Sequence, residues 1–140
     1  MKSGPIILIE DDIDDQKIME EALGELNVDN RLIWFPNCKA AMHYLQTTED
    51  QPFIIFCDVN LPVQTGIEFK KEIDEDPVLR RKSIPFVFYS TSVDQWVINE
   101  AYTNLTIQGF FKKHHNFEEI KNIIRLILDY WKACKHPNTF

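Results

Sequence analysis

Four groups of polar residues stand directly after apolar runs, and each is of a type that handles oxygen anions. Glu10-Asp11-Asp12 follows residues 5–9, Asp58 follows 52–57, Ser90-Thr91-Ser92 follows 85–89, and Lys112-Lys113 closes the run 108–111. If these runs are neighbouring parallel strands, the polar groups gather at one edge of a sheet. Carboxylates brought together repel unless a cation or a proton compensates them. Carboxylates and a backbone carbonyl are hard oxygen ligands suited to Mg²⁺, and no His or Cys joins them at the spacing of a zinc site. With a hydroxyl and an ammonium facing them, they form a cradle for one phosphoryl group: nucleophile, divalent cation, hydroxyl donor and lysine. Taken singly, each group has a plainer role. Acids after a strand cap helices, which suits Asp12, Asp14 or Asp15; serines start helices; a lysine at a turn is usually solvated. Four such groups at four matching strand ends are what point to a site.

The elements that must position them are legible as alternation. Runs 5–9, 32–35, 52–57, 85–89 and 108–111 are nearly continuous in hydrophobicity, as parallel strands buried on both faces are. The first, third and fourth are the most apolar and belong at the centre of the sheet. Between them lie amphipathic segments. Residues 14–26 carry Ile18, Met19, Ala22, Leu23 and Leu26 at helical spacing. Asn37 can cap a helix through Ala40, Ala41, Tyr44 and Leu45, and residues 66–75 present Ile67, Phe69 and Ile73 before Pro77. Ser92-Val93-Asp94-Gln95 has the form of a capping box opening a helix toward Leu105. Residues 117–132 show the clearest stripe, Ile120, Ile123, Ile124, Ile127 and Trp131. Five strands alternating with five helices give an α/β fold: a (βα)₅ doubly wound, flavodoxin-like five-stranded parallel sheet with helices on both faces. Ligands in such folds sit at the carboxyl ends of the strands, where the strand order reverses.

The 140 residues suit one domain, with a core over about 5–132 and a tail over 133–140. A net charge of −7 without a basic stripe argues against nucleic-acid binding. Cys38, Cys57 and Cys134 lie in apolar, regular-looking segments and read as buried thiols of a reducing compartment. No apolar run reaches the length of a signal-peptide core or a membrane span, so a cytoplasmic location is expected. Trp96, Tyr102, Tyr130 and Trp131, on or near the last two helices, are expected mostly in the core, with some on a face that meets partners. His114 and His115 are expected to be exposed and inert.

Laid end to end, these segments resemble the receiver domains of two-component response regulators. Ile7-Leu8-Ile9-Glu10-Asp11-Asp12 is similar to the acidic ending of the family's first strand. Asp58-Val59-Asn60-Leu61-Pro62-Val63-Gln64-Thr65-Gly66 resembles its acceptor segment, Ile84–Ser90 its fourth strand with a terminal hydroxyl, and Gly109-Phe110-Phe111-Lys112-Lys113 its fifth strand. The resemblance covers essentially the whole chain in the right order. It implies that Asp58 is phosphorylated. Asp11, the Asp58 carboxylate and the Asn60 backbone carbonyl would bind Mg²⁺, with Glu10 acting through a water. Ser90 would be the switch hydroxyl, Lys113 the contact to the phosphoryl group, and Phe110 the aromatic switch residue. It implies a single-domain response regulator rather than an enzyme, beyond its own phosphoryl transfer and dephosphorylation. The donor would be a sensor histidine kinase or phosphotransfer protein. Output would go to a downstream protein through the face of fourth helix, fifth strand and fifth helix, or onward by phosphorelay.

The sequence departs from the family at His114, where a proline joined by a cis peptide is usual. A cis bond before a non-proline residue costs roughly 2.5–4 kcal/mol, so either a trans bond with a rearranged loop or a cis bond held by the fold is expected. Adjacent strand residues face opposite sides, so only one of Lys112 and Lys113 can enter the site; spacing to Phe117 favours Lys113. Three rival readings compete with this one. A haloacid-dehalogenase-like phosphatase places its Asp-x-Asp after the first strand, not the third. A flavodoxin needs a Ser/Thr/Gly-rich loop after the first strand. A receiver fold serving as a phosphorylation-independent binding module remains the alternative.

Overall fold

The structure is a computed structural model that describes residues 2–91 and 93–138. Its strands are β1 (Ile6–Ile9), β2 (Leu32–Phe35), β3 (Ile54–Cys57), β4 (Phe86–Ser90) and β5 (Gly109–Lys112). Its helices are α1 (Ile13–Glu25), α2 (Cys38–Thr47), α3 (Gly66–Glu75), α4 (Pro77–Lys82), α5 (Gln95–Asn104) and α6 (Phe117–Ala133). All strand pairs are parallel, in the order β2-β1-β3-β4-β5. The three most apolar runs thus occupy the centre, and every residue of β1, β3 and β4 is buried, whereas edge strands β2 and β5 are partly exposed.

Strand alternation divides the core in two. Ile7, Ile9, Ile55, Cys57, Phe86 and Phe88 face α2 and α3, where Ala41, Leu45, Phe69 and Ile73 meet them. Ile6, Leu8, Ile54, Phe56, Val87 and Tyr89 face α1 and α6, whose Met19, Leu23, Ile120, Ile124 and Ile127 complete the other layer. Fully burying one such side chain contributes roughly 1.5–3 kcal/mol, so the two layers dominate the stability.

The helix starts follow from local chemistry. Asp12 accepts from the backbone N–H of Asp14 and Asp15, Asn37 from Ala40, and Asn116 from Glu118 and Glu119. Thr65 and Glu68 form a reciprocal capping box at α3. Ser92, expected to cap α5, lies outside the described residues; Asp94 holds the N-cap position and its side chain makes no capping bond.

Several expectations need correction. Pro77 does not simply follow a helix; it stands in the first turn of the additional α4, which Asp76 caps through Val78 and Leu79. Proline suits that position because its missing N–H would be unpaired there anyway. Of the four aromatics expected mostly in the core, Trp96, Tyr102 and Tyr130 are exposed and Trp131 is half-buried. Ala101 and the Ile120-Ile124-Ile127 stripe fill the inward faces of their helices instead. Cys38 and Cys57 are buried, but Cys134, past the end of α6, is only partly so. The stretch beyond α6 folds back on the body. His136 stacks on Phe53 at 5.3 Å with Nε2 2.7 Å from its carbonyl oxygen, and Asn138 donates to the carbonyl of Lys82. No helix among the described residues is long and apolar enough to cross a membrane.

Candidate functional site

The strand ends bring the expected side chains together. The register pairs Ile9 with Cys57, and Asp58 N–H donates to the Ile9 carbonyl, so Glu10 and Asp58 leave neighbouring strands side by side. Ser90, one residue beyond the expected strand end, is the last residue of β4 and pairs with Lys112. Lys113 N–H donates to the Ser90 carbonyl at 2.8 Å, which anchors the lysine beside the hydroxyl. Lys112 stays exposed while Lys113 turns inward.

Glu10, Asp58 and Lys113 are only 2%, 7% and 7% exposed, so their charges must be met by one another. Ser90 Oγ donates to Asp58 Oδ1 at 2.6 Å, and the Asn60 N–H donates to the same oxygen at 3.1 Å. Lys113 Nζ donates to Asp58 Oδ2 at 2.9 Å, to Asp15 Oδ2 at 3.0 Å and to Glu10 Oε2. Asp12 N–H donates to Glu10 Oε1, and Trp34 Nε1 donates to the Glu10 carbonyl at 2.6 Å. Burial pushes the Asp58 carboxyl up, but hydrogen bonds from Ser90 and Lys113 outweigh it and hold Asp58 below the usual carboxylate range. Asp58 is therefore ionised at neutral pH. Burial also raises Glu10, to about 7, against the pull of Lys113. For Lys113, burial works against the charge, but bonds to Glu10 and Asp58 prevail and raise it above an ordinary lysine.

The carboxylates of Glu10, Asp11 and Asp58 offer oxygens within 4.8 Å of one another. Lys113 is the single ammonium in contact with Glu10, Asp58 and Asp15, and Asp11 adds a further carboxylate beside them, so the cluster carries excess negative charge. An all-oxygen set with excess charge fits a hard divalent cation. Asn60, whose carbonyl was expected to join the set, is exposed beside it, and its N–H is already committed to Asp58.

The acceptor loop approaches α3 so closely that a Cβ on Gly66 would lie 2.2 Å from the Asp58 carbonyl oxygen. Glycine is required there by contact, not by conformation. Phe110 is half-buried, 5.3 Å from Phe88, and lines a cavity of about 200 Å³ with Ser90, Thr91, Val93 and Ile98. His114 is half-buried and meets Glu119 at 3.2 Å, while His115 is exposed; both line the cleft beside Lys113 and Asp15, outside the carboxylate triad. All peptide bonds among the described residues are trans, including Lys113–His114.

Asp15 and Trp34 were not foreseen as neighbours of the site. Asp15 gave a signal only as an acid in the first turn of a helix, and Trp34 as an apolar strand residue.

Residues 6–125 match the response regulator receiver domain family. The chain is 30% identical over 131 residues to the response regulator Rcp1 of Synechocystis, covering 90% of this chain and 87% of that protein. It superposes on the phosphorylated cyanobacterial phytochrome response regulator RcpA with a TM-score of 0.84 and 29% identity, over 98% and 99% of the two chains. The Mn²⁺-bound form of Rcp1 matches with a TM-score of 0.81 and 29% identity, over 96% and 99%.

Proposed function

The chain belongs to the response regulator receiver domain family, and we propose that it accepts a phosphoryl group on Asp58 from a phosphohistidine of a sensor histidine kinase or a phosphotransfer protein. The observation that carries this reading is the buried Asp58 carboxylate, held by Ser90 and Lys113 beside Glu10 and Asp11. The relatives support it: one was solved phosphorylated and another with Mn²⁺ bound.

In the proposed transfer an Asp58 carboxylate oxygen attacks phosphorus, the P–O bond forms, and the P–N bond to the donor imidazole breaks. Asp11, Asp58, Glu10 and the Asn60 carbonyl would hold Mg²⁺, which when bound supplies positive charge to the transferred oxygens. Lys113 is fully protonated and already 2.9 Å from Asp58 Oδ2, placed to donate to the phosphoryl group as its charge develops. Ser90 exchanges its bond to Asp58 for one to a phosphoryl oxygen. Its movement opens the cavity it shares with Phe110, and the aromatic ring repacks toward it.

Output then leaves through the face built by α5, β5 and α6. Trp96 and Tyr102 on α5 and Leu126 and Tyr130 on α6 are exposed large apolar side chains of the kind a protein partner would cover. The molecule is a signalling receiver, not a conventional enzyme.

The test is chemical. After incubation with acetyl phosphate and Mg²⁺, the bound phosphoryl group should be discharged by hydroxylamine, leaving a hydroxamate on the Asp58 peptide. A hydroxylamine-stable phosphate, on Ser90 or elsewhere, would contradict the assignment.

A further inference from the structure

Lys113 is held by a carboxylate that lies outside the proposed cation-binding set. Its ammonium contacts Glu10, Asp58 at 2.9 Å and Asp15 at 3.0 Å. Glu10 and Asp58 belong to the triad that can take a metal; Asp15 does not. In the present arrangement the lysine and a divalent cation therefore claim the same two carboxylates. A buried ammonium released from both would be left uncompensated, at a cost far above that of an exposed ion pair.

Asp15 removes that conflict. It stands in the first turn of α1, where Asp12 accepts its backbone N–H, and its side chain is a third exposed, on the solvent side of Lys113. Asp15, Lys113, Tyr89 and His115 share a cleft of about 140 Å³ that gives the lysine room to shift outward. The Tyr89 ring, 5.7 Å from the ammonium, lies alongside it. We infer that Asp15 is a positioning residue that retains Lys113 when Glu10 and Asp58 are given over to the cation, so that metal and lysine occupy the site together. This rests on the reading of the site as a metal-binding phosphoacceptor.

Magnesium titration of the full chain tests it, followed through the indole N–H resonance of Trp34, which donates to the Glu10 carbonyl. Asp15→Asn should weaken Mg²⁺ binding about tenfold, the worth of one hydrogen bond between charged groups. Asp14→Asn removes the same charge one residue away, where no contact reaches Lys113, and should weaken it no more than about twofold. Asp15→Glu should recover much of the affinity. In a Lys113→Met background, Asp15→Asn should cost nothing further, because the coupling runs through the lysine. Equal losses in the Asp14 and Asp15 variants, or a full loss persisting without Lys113, would overturn the inference while leaving the functional reading intact. The Asp14–Asp15 comparison decides alone if Lys113→Met does not fold. No Mg²⁺-dependent shift in the wild type would overturn the functional reading and this inference with it.

Discussion

The Ser90 hydroxyl donates to Asp58 Oδ1 at 2.6 Å, linking the last residue of β4 to the first residue after β3 in a buried bond. This bond helps hold Asp58 ionised, and the same hydroxyl is the donor nearest a group attached there. Ser90→Ala should slow phosphorylation by acetyl phosphate by about tenfold or more, since a hydrogen bond to a charged group is worth roughly 1.5–3 kcal/mol. Ser90→Thr should keep most of the rate. Phosphoprotein formed against time, separated from unmodified protein on phosphate-affinity gels, measures both.

Gly66 is fixed by the 2.2 Å approach its Cβ would make to the Asp58 carbonyl oxygen, with the Cys57 sulfur a further neighbour at 3.1 Å. Cys57 ends β3 and Asp58 is anchored just beyond it by its N–H bond to the Ile9 carbonyl, so the start of α3 must yield. Gly66→Ala should cost about 1–3 kcal/mol, the usual penalty of overpacking. Urea unfolding of the two proteins reads the difference, and a shifted Asn60 amide resonance would place the strain in the acceptor loop.

Lys113 is the one ammonium in contact with Glu10, Asp58 and Asp15 among the described residues. Lys113→Met should lower stability without Mg²⁺ by about 3 kcal/mol, because buried carboxylates lose their counter-charge. Saturating Mg²⁺ should stabilise the variant more than the wild type, since the ion then supplies the only counter-charge to the buried carboxylates. Paired denaturant titrations with and without the ion measure this.

A second buried ion pair lies far from the site. Lys70 Nζ meets Asp74 Oδ1 at 2.8 Å, and Asp74 also accepts from the backbone and hydroxyl of Thr106, tying α3 to the loop before β5. Burial pushes Asp74 up, but the bonds from Lys70 and Thr106 outweigh it, so its folded pKa lies below its ordinary 3.8. A depressed carboxylate contributes stability that is present above the unfolded pKa and lost as pH falls through the folded one. Asp74→Asn should therefore cost about 3 kcal/mol near neutral pH, and the gap from wild type should close as pH falls below about 4. Thermal unfolding across that range checks the sign.

Much of this was legible in the sequence because buried parallel strands and polar strand ends are local patterns. β2 and α3 begin and end where the apolar periodicity places them, and the central strands are the most apolar runs. The four polar groups converge because parallel register carries Glu10, Asp58, Ser90 and Lys113 to one edge. What escaped notice depends on tertiary geometry. The Asp76-Pro77 pair is a helix-start signal, but α4 is one short helix pressed directly against the end of α3, and the proline reads equally as a stop. Asp15 meets Lys113 only because α1 packs beside α6 and brings its first turn to the lysine that follows β5. His136 is buried because Phe53 offers both a ring and a carbonyl, which nothing near residue 136 announces. The outward-facing Trp96, Tyr102 and Tyr130 were misplaced because hydrophobicity alone does not distinguish a core face from one left for a partner.

The most direct test of the account is the intact mass of the full chain after incubation with acetyl phosphate and Mg²⁺, beside Asp58→Asn. The wild type should gain one labile phosphoryl group, lose the gain when the metal is chelated beforehand, and the variant should gain none. Equal modification of both proteins would contradict Asp58 as the acceptor, and no modification of either, with phosphohistidine donors also failing, would leave a receiver fold that works by binding alone.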